Sequence, residues 1–248
     1  MSTVYILWLR QLKRYFRSRA RIMGALGQPL LFLVALGFGF GPIYQKAGGG
    51  NYIQFLAPGI IAMGILFTSV FSGMEIIWDR QFGFLKETLV APIPRLGIML
   101  GQTLGGATVA TIQGMIVFVI SLLVGFRPES LTLIVLAPVF MFMIALLFAA
   151  LGTAIASAME DMQGFQLIMN FLIMPTFFLS GALFPLQGLS NIIGIIASVD
   201  PLSYGVDGLR AVLLNSAHFG IPTDLLVLSV LAAIFLAVGS YFFSKIQI

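Results

Sequence analysis

Six stretches of the chain run without a single Asp, Glu, Lys or Arg: residues 22–45, 47–74, 96–126, 130–159, 162–199 and 225–244. A helix needs about 20 mostly apolar residues to cross the hydrocarbon core of a bilayer. Backbone N–H and C=O groups left unpaired in hydrocarbon are costly, so runs of this kind are expected to be helical. The pattern predicts an all-α membrane protein with six transmembrane helices. The fifth run is too long for one crossing, since as a straight helix it would extend ~57 Å against a core of ~30 Å. Pro175, the Ser180–Gly181 pair and Pro185 supply interruptions, because proline removes a helix hydrogen bond and glycine disfavours continuation. We read a fifth span over about 162–183, then an outer-leaflet re-entrant segment over 186–217. It holds two short helices, 190–199 and 202–214, joined at Asp200–Pro201. Asp200 suits an N-cap and Pro201 the first helical position.

The stretch before the first span has a different pattern. At about 100° per residue, Tyr5, Trp8, Leu9, Leu12 and Phe16 share one arc and Arg10, Lys13, Arg14 and Arg17 the opposing one. Residues 1–21 are expected to form an amphipathic interfacial helix, its apolar arc in the acyl boundary and its arginines toward anionic headgroups. Span three carries small residues four apart, Gly97, Gly101 and Gly105, with Gly106, Ala110 and Gly114 on a neighbouring ridge. Such ridges let helices approach closely.

Charge orients the chain. Ten basic residues fall on the side carrying both termini and three on the other, so both termini are expected in the cytoplasm. Residues 80–95, between spans two and three, then face the cytoplasm as well. Glu75 and Asp79 at the end of span two, and Glu160 with Asp161 in a short turn, are expected to be solvated. Asp207 and Arg210, three apart, are spaced for a helical ion pair.

Composition excludes several chemistries. Of 248 residues, 59% are hydrophobic and 9% charged, with mean hydropathy +1.05, far from the ~25% charged residues of a soluble domain. With no cysteine, thiol catalysis, iron–sulfur clusters and cysteine-ligated zinc are out of reach. No lysine follows a glycine, which rules out the phosphate-cradling G-x-x-x-x-G-K-[ST] loop. There is no G-x-S-x-G elbow, and the single His218 reads as a loop residue; no catalytic or metal site is assigned. The near absence of ionisable groups in the span interiors weighs against ion coupling, which stays as the alternative reading (an ion-coupled secondary transporter or channel), with a membrane-embedded enzyme third.

Two motifs resemble a known family. "GFLKETLVAPIPR" (83–95) looks like the cytoplasmic loop of type-2 ABC-transporter permeases, the membrane subunits of drug, lipid, nodulation-factor and polysaccharide exporters. "FFLSGALFPLQGL" (177–189) followed by "DPLSYGVDGLR" (200–210) resembles that family's pattern after span five, matched by Ser180, Gly181, Phe184, Pro185, Pro201, Tyr204 and Arg210; Asp207 lies in the same stretch, and Asp200 replaces the more usual Asn. The resemblance covers nearly the whole chain, 1–248, as one permease domain.

The resemblance implies the permease subunit of an ATP-driven exporter of the prokaryotic plasma membrane. Two such subunits, as a homodimer or close heterodimer, would work with two copies of a separate ABC ATPase, which holds the ATP and Mg; no cofactor is implied in this chain, and no nucleic acid. The substrate would be amphipathic, drug-like or lipid-linked. Residues 80–95 would be a coupling segment docked on the ATPase, with Phe82, Phe84, Leu85, Leu89 and Val90 filling a groove, Lys86, Glu87 and Arg95 setting register, and Pro92 with Pro94 stiffening the return. A path between protomers would be lined by Phe67, Phe71, Asn170, Phe171, Met174, Phe177 and Phe178.

Overall fold

A computed structural model of the chain describes residues 3–48, 50–85, 93–129, 132–185 and 191–246, with backbone alone for 191–193. Among these residues the regular structure is entirely helical: α1 Thr3–Arg17, α2 Arg19–Lys46, α3 Tyr52–Ser72, α4 Met74–Gln81, α5 Arg95–Val124, α6 Ala137–Ala158, α7 Met162–Leu179, α8 Asn191–Val199, α9 Pro201–Leu214 and α10 Ile221–Ser244, with a 3-10 turn, Leu133–Leu136, leading into α6. Six helical segments among the described residues are long and apolar enough to cross a membrane: α2, α3 continued through α4, α5, α6 with its preceding turn, α7 and α10. The chain is a multi-pass membrane protein of the class its charge-free runs predict.

Short polar side chains set where several of these helices begin. The first turn of a helix leaves backbone N–H groups without partners. Ser18 caps α2 through the Arg21 amide at 3.3 Å, and Asn51 caps α3 through Ile53 at 3.0 Å. Asp161 accepts from the amides of Gln163 and Gly164 to start α7. Asp200 accepts from Leu202 at 2.9 Å, with Pro201 next to it, to start α9. The predicted Asp200–Pro201 junction is therefore present, as are the two short helices it joins; residues 186–190 of the expected re-entrant segment lie outside the described residues.

The packing has a clear centre. In the most apolar stretch of α3, 72% of residues are buried within the chain, against 22% in α7 and 17% in each of α2 and α10, so α3 is the axis and the other three present most of their surface outward. Helix α6 packs against α3, α5 and α10. Its contact with α3 is backbone to backbone: a Cβ built on Gly152 would lie 2.3 Å from the Val70 carbonyl oxygen, and one on Gly73 2.4 Å from Gly152. Only residues without a side chain allow that approach.

The glycine ridges of α5 serve contacts within the chain. Gly101 and Gly105 receive Leu7 and Gln11 of α1, while Gly106 meets Ser72 and Gly114 meets Ile65 of α3. Helix α1 consequently lies along α5, and its buried face is Leu7, Gln11 and Tyr15. The apolar arc expected to face lipid, with Tyr5 and Phe16, stays exposed, and a third arc, four residues apart, docks on the ridge. Pro175 also departs from expectation. Helix α7 runs through it to Leu179 and ends where Gly181 takes a positive φ of 73°; one missing hydrogen bond does not stop the helix, and the neighbouring Thr176 hydroxyl donates to the Leu172 carbonyl in the same turn.

Candidate functional site

The end of the bundle that carries both termini is organised around two buried acids. Glu75 and Asp79 sit one turn apart on α4 and are only 3% and 4% exposed. Arg10 meets both oxygens of Asp79, at 2.6 and 2.7 Å. Arg21 reaches one oxygen of Glu75 at 2.7 Å, and Arg14 lies 3.6 Å from the other. These acids are not solvated, as the sequence reading had them. Three arginines from α1 and the start of α2 neutralise them, and Gln102 of α5 adds a donor to Asp79 at 3.4 Å. Removing such a carboxylate from water without a partner is costly, which accounts for the surplus of arginine at this end. The signal was in the sequence: Arg10 and Arg14 are four apart, Glu75 and Asp79 are four apart, and two antiparallel helices bring such pairs into register.

Helix α4 leads directly into the segment expected to couple. Phe82 is 73% exposed and Phe84 is exposed under Arg10, whose guanidinium lies 6.0 Å from its ring centre. Gly83 takes a φ of +82°, which turns the chain at that point. Leu85 is buried, 2% exposed, so it belongs to the fold rather than to an outward surface. Lys86, Glu87, Leu89, Val90 and Pro92 lie outside the described residues. Pro94 takes the N-cap position of α5. Arg95 donates to the carbonyls of Ser244 and Ile246 and so joins the start of α5 to the end of α10. On the other flank Arg80 pairs with Glu160 at 2.9 Å and Gln81 donates to the Glu160 carbonyl. The described ends of the segment are thus held to α1, the α6–α7 turn and the end of α10.

The second motif assembles at the opposite end. Arg210 donates to the carbonyl of Gly181 at 2.8 Å, and its guanidinium stacks 4.0 Å over the ring of Phe55. Burial lowers its pKa to about 10, which leaves it charged at neutral pH. The expected Asp207–Arg210 ion pair does not form. Asp207 instead accepts from the amides of His218 and Phe219, at 2.8 and 2.7 Å, and from Gly220, tying the loop ahead of α10. Helix geometry brought the two within reach, but each pairs instead with backbone groups of the adjoining loops. Ser180 closes its own turn through Phe177 and Ala182. Tyr204 stacks on Phe219 at 4.6 Å and donates to the Ser198 carbonyl at 2.7 Å. Phe184 and Pro185 are exposed beside them. The motif binds the 180–185 turn, α9 and α3 into one unit.

The residues expected along a path are split by the fold. Asn170, Phe171, Met174 and Phe178 face outward on α7, with Phe171 84% exposed. Phe177 is in the core, edge-on to Phe32. Phe67 and Phe71 line a half-open pocket of about 270 Å³ between α1, α2, α3 and α5.

This arrangement, a six-span bundle with a clamped loop after span two and an Arg-centred knot after span five, coincides with a sequence match to the ABC-2 type transporter family over residues 2–214. The chain belongs to that family. Its similarity extends to the Nodulation protein J of Rhizobium leguminosarum bv. trifolii, 30% identical over 213 residues, covering 85% of this chain and 78% of that one. It is also similar to the putative transport permease ycf38 of Porphyra purpurea, 31% identical over 213 residues with 81% and 70% covered, and to that of Pyropia yezoensis, 31% over 222 residues with 85% and 73% covered. As an ABC-2 permease the chain is a transport subunit, and family membership implies an ABC ATPase as partner in general terms.

Proposed function

We propose that this ABC-2 chain is the membrane half of an ATP-driven exporter in a prokaryotic inner membrane, with both termini cytoplasmic and residues 1–248 acting as one permease domain. Two copies form the transport unit, and two ATPase subunits, carrying the ATP and Mg, dock on the 80–95 segment. The cargo is an amphipathic, drug-like or lipid-linked molecule. It passes between protomers along the outward face of α7, where Asn170, Phe171, Met174 and Phe178 stand.

One observation carries this reading: the 80–95 segment follows directly on α4, the continuation of the central helix, and its described ends are held by the Arg80–Glu160 ion pair and by Arg95 hydrogen bonds to the end of α10. A load applied there reaches α3 along α4, and reaches α1 and α2 through Arg10–Asp79 and Arg21–Glu75. With no phosphate loop in the chain, the energy has to come from a partner. The test is Phe82→Asp, at a position exposed enough to leave the fold intact, together with Leu89→Asp. Each is expected to abolish co-purification with a partner ABC ATPase and the ATP hydrolysis that the permease stimulates. Unchanged assembly and hydrolysis in both would overturn the coupling assignment. Single cysteines at Gly49 and Thr88, in a chain that has none, are expected to label from opposite sides of the membrane; labelling from the same side refutes the topology.

A further inference from the structure

The basic residues from Arg10 to Arg21, where α1 gives way to α2, are sorted by the fold into two groups. Arg10, Arg14 and Arg21 turn inward to Asp79 and Glu75. Lys13, Arg17 and Arg19 are exposed, and none of the ion pairs among the described residues includes them. Lys13 and Arg17 also stand four apart, which sets two like charges side by side on one helix face. Such a pair repels, and an anion between the two turns that repulsion into attraction.

The same side of α1 is partly apolar. With Leu7, Gln11 and Tyr15 buried and the first two seated on the α5 ridge, the side turned outward is the seam where the apolar arc meets the basic one. Leu9 and Phe16 come from the first arc and Lys13 and Arg17 from the second, with Ile6 among them. Ile6, Leu9, Lys13 and Arg17 line an open groove along the helix, and Ile6 and Phe16 are 53% and 56% exposed. Arg19 is the first residue of α2, a helix long and apolar enough to cross a membrane, so these cations stand where that helix meets the headgroups. Met23, one turn further on, is 74% exposed. An acidic protein surface would match the charge and leave this apolar surface unmatched, whereas a lipid answers to both.

We propose that this seam is a binding site for anionic phospholipid, with the phosphate among Lys13, Arg17 and Arg19 and the acyl chains against Ile6, Phe16 and Met23. A zwitterionic headgroup brings an ammonium group of its own among these cations, so phosphatidylglycerol is preferred over phosphatidylcholine. The charge pattern of the sequence turns every arginine of α1 toward headgroups; the fold keeps that role for the cations that have no acid. The site involves neither cargo nor ATPase and does not depend on the exporter reading.

Lipid contact can be read by fluorescence quenching. Met23→Cys, in a chain with no other cysteine, carries a bimane label at the seam, and Ile234→Cys, 48% exposed on α10, carries one on another helix. In nanodiscs of mixed phosphatidylglycerol and phosphatidylcholine, bromine on the acyl chains of one lipid or the other shows which of them touches the label. Phosphatidylglycerol is expected to be favoured about fivefold at Met23→Cys, the scale of one cation at an anionic surface, and to show no preference at Ile234→Cys. Lys13→Gln combined with Arg17→Gln is expected to abolish the preference. Lys46→Gln, an exposed cation at the other end of α2, is expected to leave it unchanged, and glycerol 3-phosphate in millimolar excess is expected not to compete. Equal preference at the two labels overturns the proposal, a comparison that stands whether or not the glutamine variants fold. Competition by glycerol 3-phosphate overturns it in favour of a site for free phosphate. A preference that survives the double substitution also overturns it; where that variant has lost co-purification with a partner ABC ATPase instead, the face docks protein.

Discussion

Asp200 carries a sharp pH prediction. One of its carboxylate oxygens caps α9 through Leu202, while the other is buried with no partner. Burial raises its pKa from 3.8 to about 7, against the smaller lowering by the Leu202 amide. The folded protein therefore keeps a proton that the unfolded chain releases above pH ~4, and a state that binds more protons loses stability as pH rises. The contribution is fully present below pH ~4, declines from there to about 7, and is flat above; a shift of about three units corresponds to up to about 4 kcal/mol. Asp200→Asn keeps an oxygen for the cap and cannot ionise. Its advantage over the parent is expected to grow by about 2.7 kcal/mol between pH 5 and pH 8. Unfolding midpoints of both proteins in the same detergent, across that range, measure it. A difference that does not change with pH, or an Asn variant less stable at pH 8, would refute the account of a strained, buried carboxylate.

Two further outcomes follow from the packing. In the Arg10–Asp79 pair the acid side chain is 5% exposed and the arginine 36%, so Arg10→Ala, which strands the buried partner, is expected to cost more stability than Asp79→Ala; the double variant should show a coupling of about 1–3 kcal/mol in thermal or denaturant unfolding. Gly152→Ala drives a methyl into the Val70 carbonyl and is expected to destabilise by about 1–3 kcal/mol or prevent folding. Gly39→Ala, with nothing within 4 Å of the added carbon, serves as control and should be neutral or gain up to about 1 kcal/mol.

Much of the fold was legible because hydrocarbon is an unforgiving solvent: a run without charge must become a helix, and its ends show as charges, caps and glycines. The Asp200–Pro201 junction was readable for the same local reason. The candidate site was half legible. Phe82 and Phe84 stand outward as the loop pattern suggested, yet Leu85, of the same residue class and next in line, turns inward after Gly83, a turn set by a single positive φ. Phe177 and Phe178 differ in the same way, one in the core and one outside.

The order and number of spans, the basic side, and the absence of a nucleotide loop were determined by the residues alone, since each depends on local composition and on transfer between water and lipid. Which face of α1 is buried, whether the α5 glycines meet this chain or another, and where Glu75, Asp79, Asp207 and Arg210 find their partners were decided only by the tertiary structure. Those outcomes depend on residues from 11 to 155 positions apart competing for the same few surfaces. Helical periodicity says which residues share a side, and only packing says what that side touches.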